Sequence, residues 1–152
     1  MTIRLKTVGL AAFTLAAMGL AGCETIEEAY LERTSVTYEA ELRGSNQVGR
    51  GDPDGYATAE ITFADELTRV CWDLNDIAGL GPITGAHIHR GAAGQNGPVV
   101  LAFRQATEGG WRGCSSDTDW VQSAFDEGLS NYYVNVHTAE YPDGAIRGQL
   151  RQ

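Results

Sequence analysis

The strongest constraint on this chain is a period of two. From Ser35 onward, apolar and polar residues alternate in short runs, and each run is cut off by a cluster of Gly, Pro, Asp or Asn. Side chains on an extended backbone point alternately to opposite faces, so such runs are half-buried strands. Val36, Tyr38, Ala40 and Leu42 alternate with Thr37, Glu39, Glu41 and Arg43. Ala57, Ala59, Ile61 and Phe63 share a face of a second run, and Val70, Trp72 and Leu74 alternate with Cys71, Asp73 and Asn75 in a third. Asp65-Glu66 joins these two as a hairpin. Ala86 to His89, Val99 to Phe103, Tyr132 to Thr138 and Ala145 to Arg151 supply further strands. Val48 to Gly55, Gly79 to Gly85, Gln95 to Pro98, Gly109 to Ser116 and Tyr141 to Gly144 read as loops or turns. One helix is expected over Thr118 to Glu127, capped by Asp117 and ended by Gly128, with Trp120/Ala124 and Val121/Phe125 as its apolar pairs. About seven strands at spacings of roughly eight to fifteen residues, with one short helix, describe an all-β antiparallel sandwich or barrel and exclude alternating βαβ units.

The first 22 residues obey a different rule. Arg4 and Lys6 precede an uncharged run from Thr7 to Gly22, rich in Ala, Leu and Gly, which has the form of an export signal and is short for a spanning helix. It ends in Leu20-Ala21-Gly22-Cys23, which resembles the lipobox of bacterial lipoproteins. That resemblance implies a signal peptide over 1–22, acylation of Cys23, a lipidated tether over 23–34 and a folded domain over 35–152. Glu24 after the cysteine resembles the outer-membrane choice, so the expected location is the cell envelope, with the membrane as partner through acylated Cys23. Thr25 and Glu28 have the spacing of a capping box within the tether.

Cleavage would remove the only lysine and one arginine, taking the formal charge from −9 to −11. An acidic domain without a basic cluster is not a nucleic-acid binder, because phosphate recognition requires a basic face. The acidity reads as solubility and repulsion from anionic headgroups. Cys71 and Cys114 remain in an oxidising compartment and are expected to form one disulfide, the alternative being two buried thiols.

Three motifs then appear in order: Ala86-His87-Ile88-His89-Arg90-Gly91 running on to Gly97-Pro98-Val99-Val100; Tyr133-Val134-Asn135-Val136-His137-Thr138; and Tyr141-Pro142-Asp143-Gly144-Ala145-Ile146-Arg147-Gly148-Gln149-Leu150. Together with Tyr38 to Gly44 and Gly55 to Ala59, they resemble the CHRD domain, named for its repeats in chordin and widespread in exported bacterial proteins. The resemblance covers about Ser35 to Leu150. Family members often carry a proline near Asn46 to Val48, and here none precedes Pro53. It implies an immunoglobulin-like or superoxide-dismutase-like β-sandwich or barrel in an extracytoplasmic setting. The role expected is a non-enzymatic envelope binding or structural module, with an envelope protein or a small ligand as partner.

All three histidines, His87, His89 and His137, lie inside these motifs. Residues i and i+2 of a strand share a face about 6.6 Å apart. If Ile88 points into the core, His87 and His89 point out; if Val134 and Val136 point in, Asn135 and His137 point out. Two readings stay open. The histidines could form a three-His copper or zinc site with an open fourth position. Alternatively they hydrogen-bond loop carbonyls and Tyr132, Tyr133 or Asn135, holding the Gly91 to Gly97 loop. A His-x-His on an outer strand face is similar to the start of the copper site of copper-zinc superoxide dismutase. Three histidines cannot supply that enzyme's two-metal site, so dismutase chemistry is not expected.

Arg147 and Gln149 fall on the side opposite Ile146 and Leu150, which reads as a surface or inter-strand ion-pair position. Asp52-x-Asp54-Gly55 lacks the terminal Glu of a calcium loop and reads as a turn. Gly91, Gly94 and Gly97 open no helix, and Ser115-Ser116 has no triad context. No catalytic residue is assigned.

Overall fold

The computed structural model describes residues 35–64 and 66–152, so Cys23 and the expected signal and tether lie outside the described residues. Among the described residues there are eight strands: β1 (Val36–Arg43), β2 (Tyr56–Ala64), β3 (Arg69–Ala78), β4 (Ile83–Arg90), β5 (Val99–Ala102), β6 (Arg112–Ser115), β7 (Tyr132–Thr138) and β8 (Ile146–Gln149). One short helix, α1 (Val121–Glu127), lies between β6 and β7. The pairings are all antiparallel and build one sheet in the order β5-β4-β7-β8-β1-β2-β3-β6.

The alternation explains the core directly. Leu42, Ala59, Ile61, Phe63, Val70, Ile88, Val134, Val136 and Ile146 are fully buried, each from the inward set of its strand, as is Leu150 just beyond β8. A sheet with one apolar face must cover it, and this one does so by curling. Trp72 of β3 stacks on Phe103, just beyond β5, with centroids 5.0 Å apart, although β3 and β5 lie near opposite ends of the strand order. The curl brings the two edges towards each other without pairing β5 to β6. Helix α1 covers one end, burying Val121 and Ala124 and setting Phe125 edge-on to Phe63 at 5.2 Å. The all-β architecture expected from the alternation is therefore present, as a single curled sheet, a half-barrel.

Two local expectations are corrected. The stretch around Gly113, read as loop, contains β6, whose residues pair with β3 so that Cys71 faces Cys114 directly. Gly113 makes this edge strand feasible: a Cβ there would lie 2.9 Å from the Trp72 ring. The helix starts at Val121, not Thr118, and Asp117 does not cap it. The Val121 N–H donates to Thr118 O, the Trp120 indole Nε1 donates to Asp117 O at 3.3 Å, and the preceding residues form a turn that docks Trp120 on Phe63.

The expected disulfide joins Cys71 and Cys114 across a sequence separation of 43 residues. A loop of that length confers about 4 kcal/mol in the chain-entropy account, an upper figure. Cys71→Ala/Cys114→Ala is accordingly expected to lower unfolding stability by roughly 2–4 kcal/mol in urea titrations. A loss below about 1 kcal/mol would show that the β3/β6 ladder holds the edge unaided.

Candidate metal centre

The site is a product of register. Strands β4 and β7 pair with Ile88 opposite Val134, His87 opposite Asn135, His89 opposite Tyr133 and Gly85 opposite His137. Because Ile88, Val134 and Val136 are fully buried, the pleat turns His87, His89, Tyr133, Asn135 and His137 to the outer face. There the three imidazoles converge, with one ligand nitrogen from each within 4.8 Å of the others and all three rings half-buried. Ring centroids are 5.1 Å apart for His87/His137 and 5.8 Å for His87/His89. Nitrogens around one zinc ion are about 3.3 Å apart at bond lengths near 2 Å, so small ring rotations close the set on an ion.

Hydrogen bonds decide which nitrogens are available. His89 Nδ1 lies 2.9 Å from Gly97 O, and His137 Nδ1 lies 2.9 Å from Pro142 O. A carbonyl only accepts, so both Nδ1 atoms carry the proton and both Nε2 atoms keep their lone pair. His89 Nε2 is buried with no partner, as is His87 Nδ1. His137 Nε2 meets only the Asn135 amide nitrogen, at 3.3 Å, and that amide is oriented by Gln47 Nε2 donating to Asn135 Oδ1 at 2.6 Å.

The two readings of the histidines thus coexist. His89 does hold the Gly91–Gly97 loop through Gly97 O, and Tyr133 Oη accepts the Gly97 N–H at 3.2 Å. The same Nδ1 contacts that fasten the loops leave Nε2 as the nitrogen with a lone pair to offer. Gly97 is required here, since a Cβ would lie 1.6 Å from Arg90 O. Tyr132 takes no part: it is a core residue whose hydroxyl donates to Glu127 at 3.3 Å.

Arg147 is not the surface residue that the alternation implied. It is 1% exposed, because the Gly91–Gly97 loop folds over the outer face of β7 and β8 and covers it. Its Nη2 donates to Ala92 O at 2.9 Å and to Gln149 Oε1 at 3.0 Å, and its Cζ lies 3.4 Å from the Tyr133 ring centroid. Nη1 has no partner. Tyr133 also stacks on His89 at 4.9 Å, linking the buried cation to the histidine cluster through one ring. Neither Gln47 nor the position of Arg147 was legible from motif spacing, because both depend on loops closing over the sheet.

Burial and mutual repulsion favour the neutral forms of His87 and His89. The His87 pKa is lowered by burial, then by His137 and His89. The His89 pKa is lowered chiefly by burial, with His137 and Arg147 adding to the effect and the Gly97 hydrogen bond opposing it. Below about pH 6.5 the unfolded chain therefore binds more protons than the folded one, so stability falls as pH drops from there through the lowered folded values. Thermal melts of the metal-free protein between about pH 7.5 and 5.5 are expected to show this loss, and His87→Gln is expected to reduce it. An unchanged slope in that variant would refute the assignment.

The other candidates behave as turns: Asp52 Oδ1 accepts the Asp54 N–H at 3.1 Å, and the Gly91–Gly97 segment opens no helix. An acidic depression over β1–β3, edged by Glu39, Glu41, Glu60 and Asp76, lies apart from the histidines.

Fold and site together define an all-β domain with an imidazole cluster on its outer face. The chain belongs to the CHRD domain family, whose model matches residues 38–150. No curated protein and no solved structure matches it significantly.

Proposed function

We propose that this CHRD domain is a lipid-anchored, extracytoplasmic, non-enzymatic binding module whose ligand is a copper or zinc ion held by His87, His89 and His137. The observation that carries the reading is the pair of carbonyl-bonded Nδ1 atoms. A histidine that only fastens a loop has no need to converge with two others, whereas second-shell carbonyls that fix the tautomer are the usual support of metal-binding imidazoles. The lowered pKa values of His87 and His89 favour the neutral, ligating form. Titration of the full-length chain in detergent micelles is expected to show uptake of one equivalent of copper or zinc at micromolar concentration. Absence of uptake of either metal would overturn the reading.

Anchoring is supported by Leu20-Ala21-Gly22-Cys23 after an uncharged run, and the Cys71–Cys114 bridge suits an oxidising compartment. Glu24 supports the outer membrane as the destination. Cells given labelled palmitate are expected to label the wild-type chain and not Cys23→Ser. Equal labelling of the two would refute acylation at Cys23.

A further inference from the structure

Resting on the metal-binding reading, we infer that the cluster takes monovalent copper, Cu(I), in preference to a divalent ion. The first ground is the donor set. Among the described residues the cluster consists of three histidines alone, with no thiolate or carboxylate joined to it, and Glu140 and Asp143 of the neighbouring turn are not part of it. Three neutral nitrogens bring no charge to offset the ion's own. The desolvation cost of an ion rises with the square of its charge, so a half-buried site without an anion penalises a divalent ion about four times as heavily as a monovalent one.

The second ground is the fixed charge nearby. Arg147 is buried, its hydrogen-bond acceptors, Ala92 O and Gln149 Oε1, are neutral, and it packs on the same Tyr133 ring as His89. The two stacking distances place its guanidinium carbon at most about 8 Å from the His89 ring centroid, and Coulomb repulsion there is twice as large for a divalent ion. The third ground is coordination number. Zinc on three histidines still needs a fourth ligand such as water, and Cu(II) takes a tetragonal set, while a closed-shell Cu(I) ion is satisfied by three nitrogens. Only binding is assigned; no electron transfer forms part of it.

The test is a pair of competitions on the full-length chain in micelles. Cu(I) is offered anaerobically, under ascorbate, against bicinchoninate, and Zn(II) against a chromophoric zinc chelator. Cu(I) is expected to bind at least about 100-fold more tightly than Zn(II) and to be lost in His87→Ala/His137→Ala. Zn(II) binding as tight as Cu(I), or Cu(I) retention by the double variant, would overturn the inference. In the first case the metal-binding reading stands; uptake of neither ion would remove both. Arg147→Gln, which drops the charge, is expected to narrow the preference about tenfold, while Arg147→Lys keeps it. If either variant fails to fold, the wild-type competition still decides.

Discussion

Replacing His87 and His137 together by alanine is expected to weaken metal uptake by at least about 100-fold while leaving the fold intact. Two of three donors disappear, and one imidazole cannot hold an ion against water. Stability should change by no more than about 1 kcal/mol. Both rings stand half-buried on the outer face, His87 Nδ1 has no partner to lose, and His137 gives up its bond to Pro142 O and a long contact to Asn135. His89 is left in place because it also fastens Gly97. Metal titration and urea unfolding of the same preparation separate the two effects. Wild-type affinity in the double variant would show that the cluster is not the site.

The second large effect lies on the other side of the sheet. Phe63→Ala is expected to destabilise the domain by about 3–5 kcal/mol, a large part of the total stability of a domain this size. Phe63 is fully buried, and its ring contacts Phe125 at 5.2 Å, Tyr38 at 5.9 Å and Trp120 at 6.0 Å. Removing it leaves a void where the curled sheet meets α1, and Phe125 and Trp120 lose their common neighbour. Urea midpoints measure the loss, and near-ultraviolet circular dichroism should report the loosened aromatic packing. A loss under about 1 kcal/mol would show that the helix does not depend on this contact. Metal affinity of the folded fraction should be unchanged, since inner and outer faces are separated by the sheet itself.

The contrast between these variants follows a division visible along β4 and β7. Ile88 lies between His87 and His89, and Val136 between Asn135 and His137; the period of two assigns each to its face from sequence alone. The fold class, seven of the eight strands and the Cys71–Cys114 bridge were legible for the same reason, because each follows from local pattern or residue chemistry. Strand β6 was not. Arg112–Ser115 is a short edge strand with a glycine, and its extended form depends on the ladder with β3 and the space above Trp72. The start of α1 was misplaced similarly: Asp117 has the chemistry of a cap, but docking of Trp120 on Phe63 turns the chain before the helix begins.

By itself, the sequence determined which side chains could face outward together and that three of them are imidazoles. It did not determine that they meet. His137 stands 50 and 48 residues beyond His87 and His89, and only the antiparallel register of β4 against β7 brings it beside them. The tertiary structure alone decided the remainder: Gly97 and Pro142 carbonyls that set the tautomers, and a loop that buries Arg147 on a face which alternation marked as solvent-exposed. The physical reason is range. Pleat and turn chemistry act between neighbours in the chain, whereas a ligand set, its proton positions and its surrounding charge depend on groups that folding alone brings within a few ångströms.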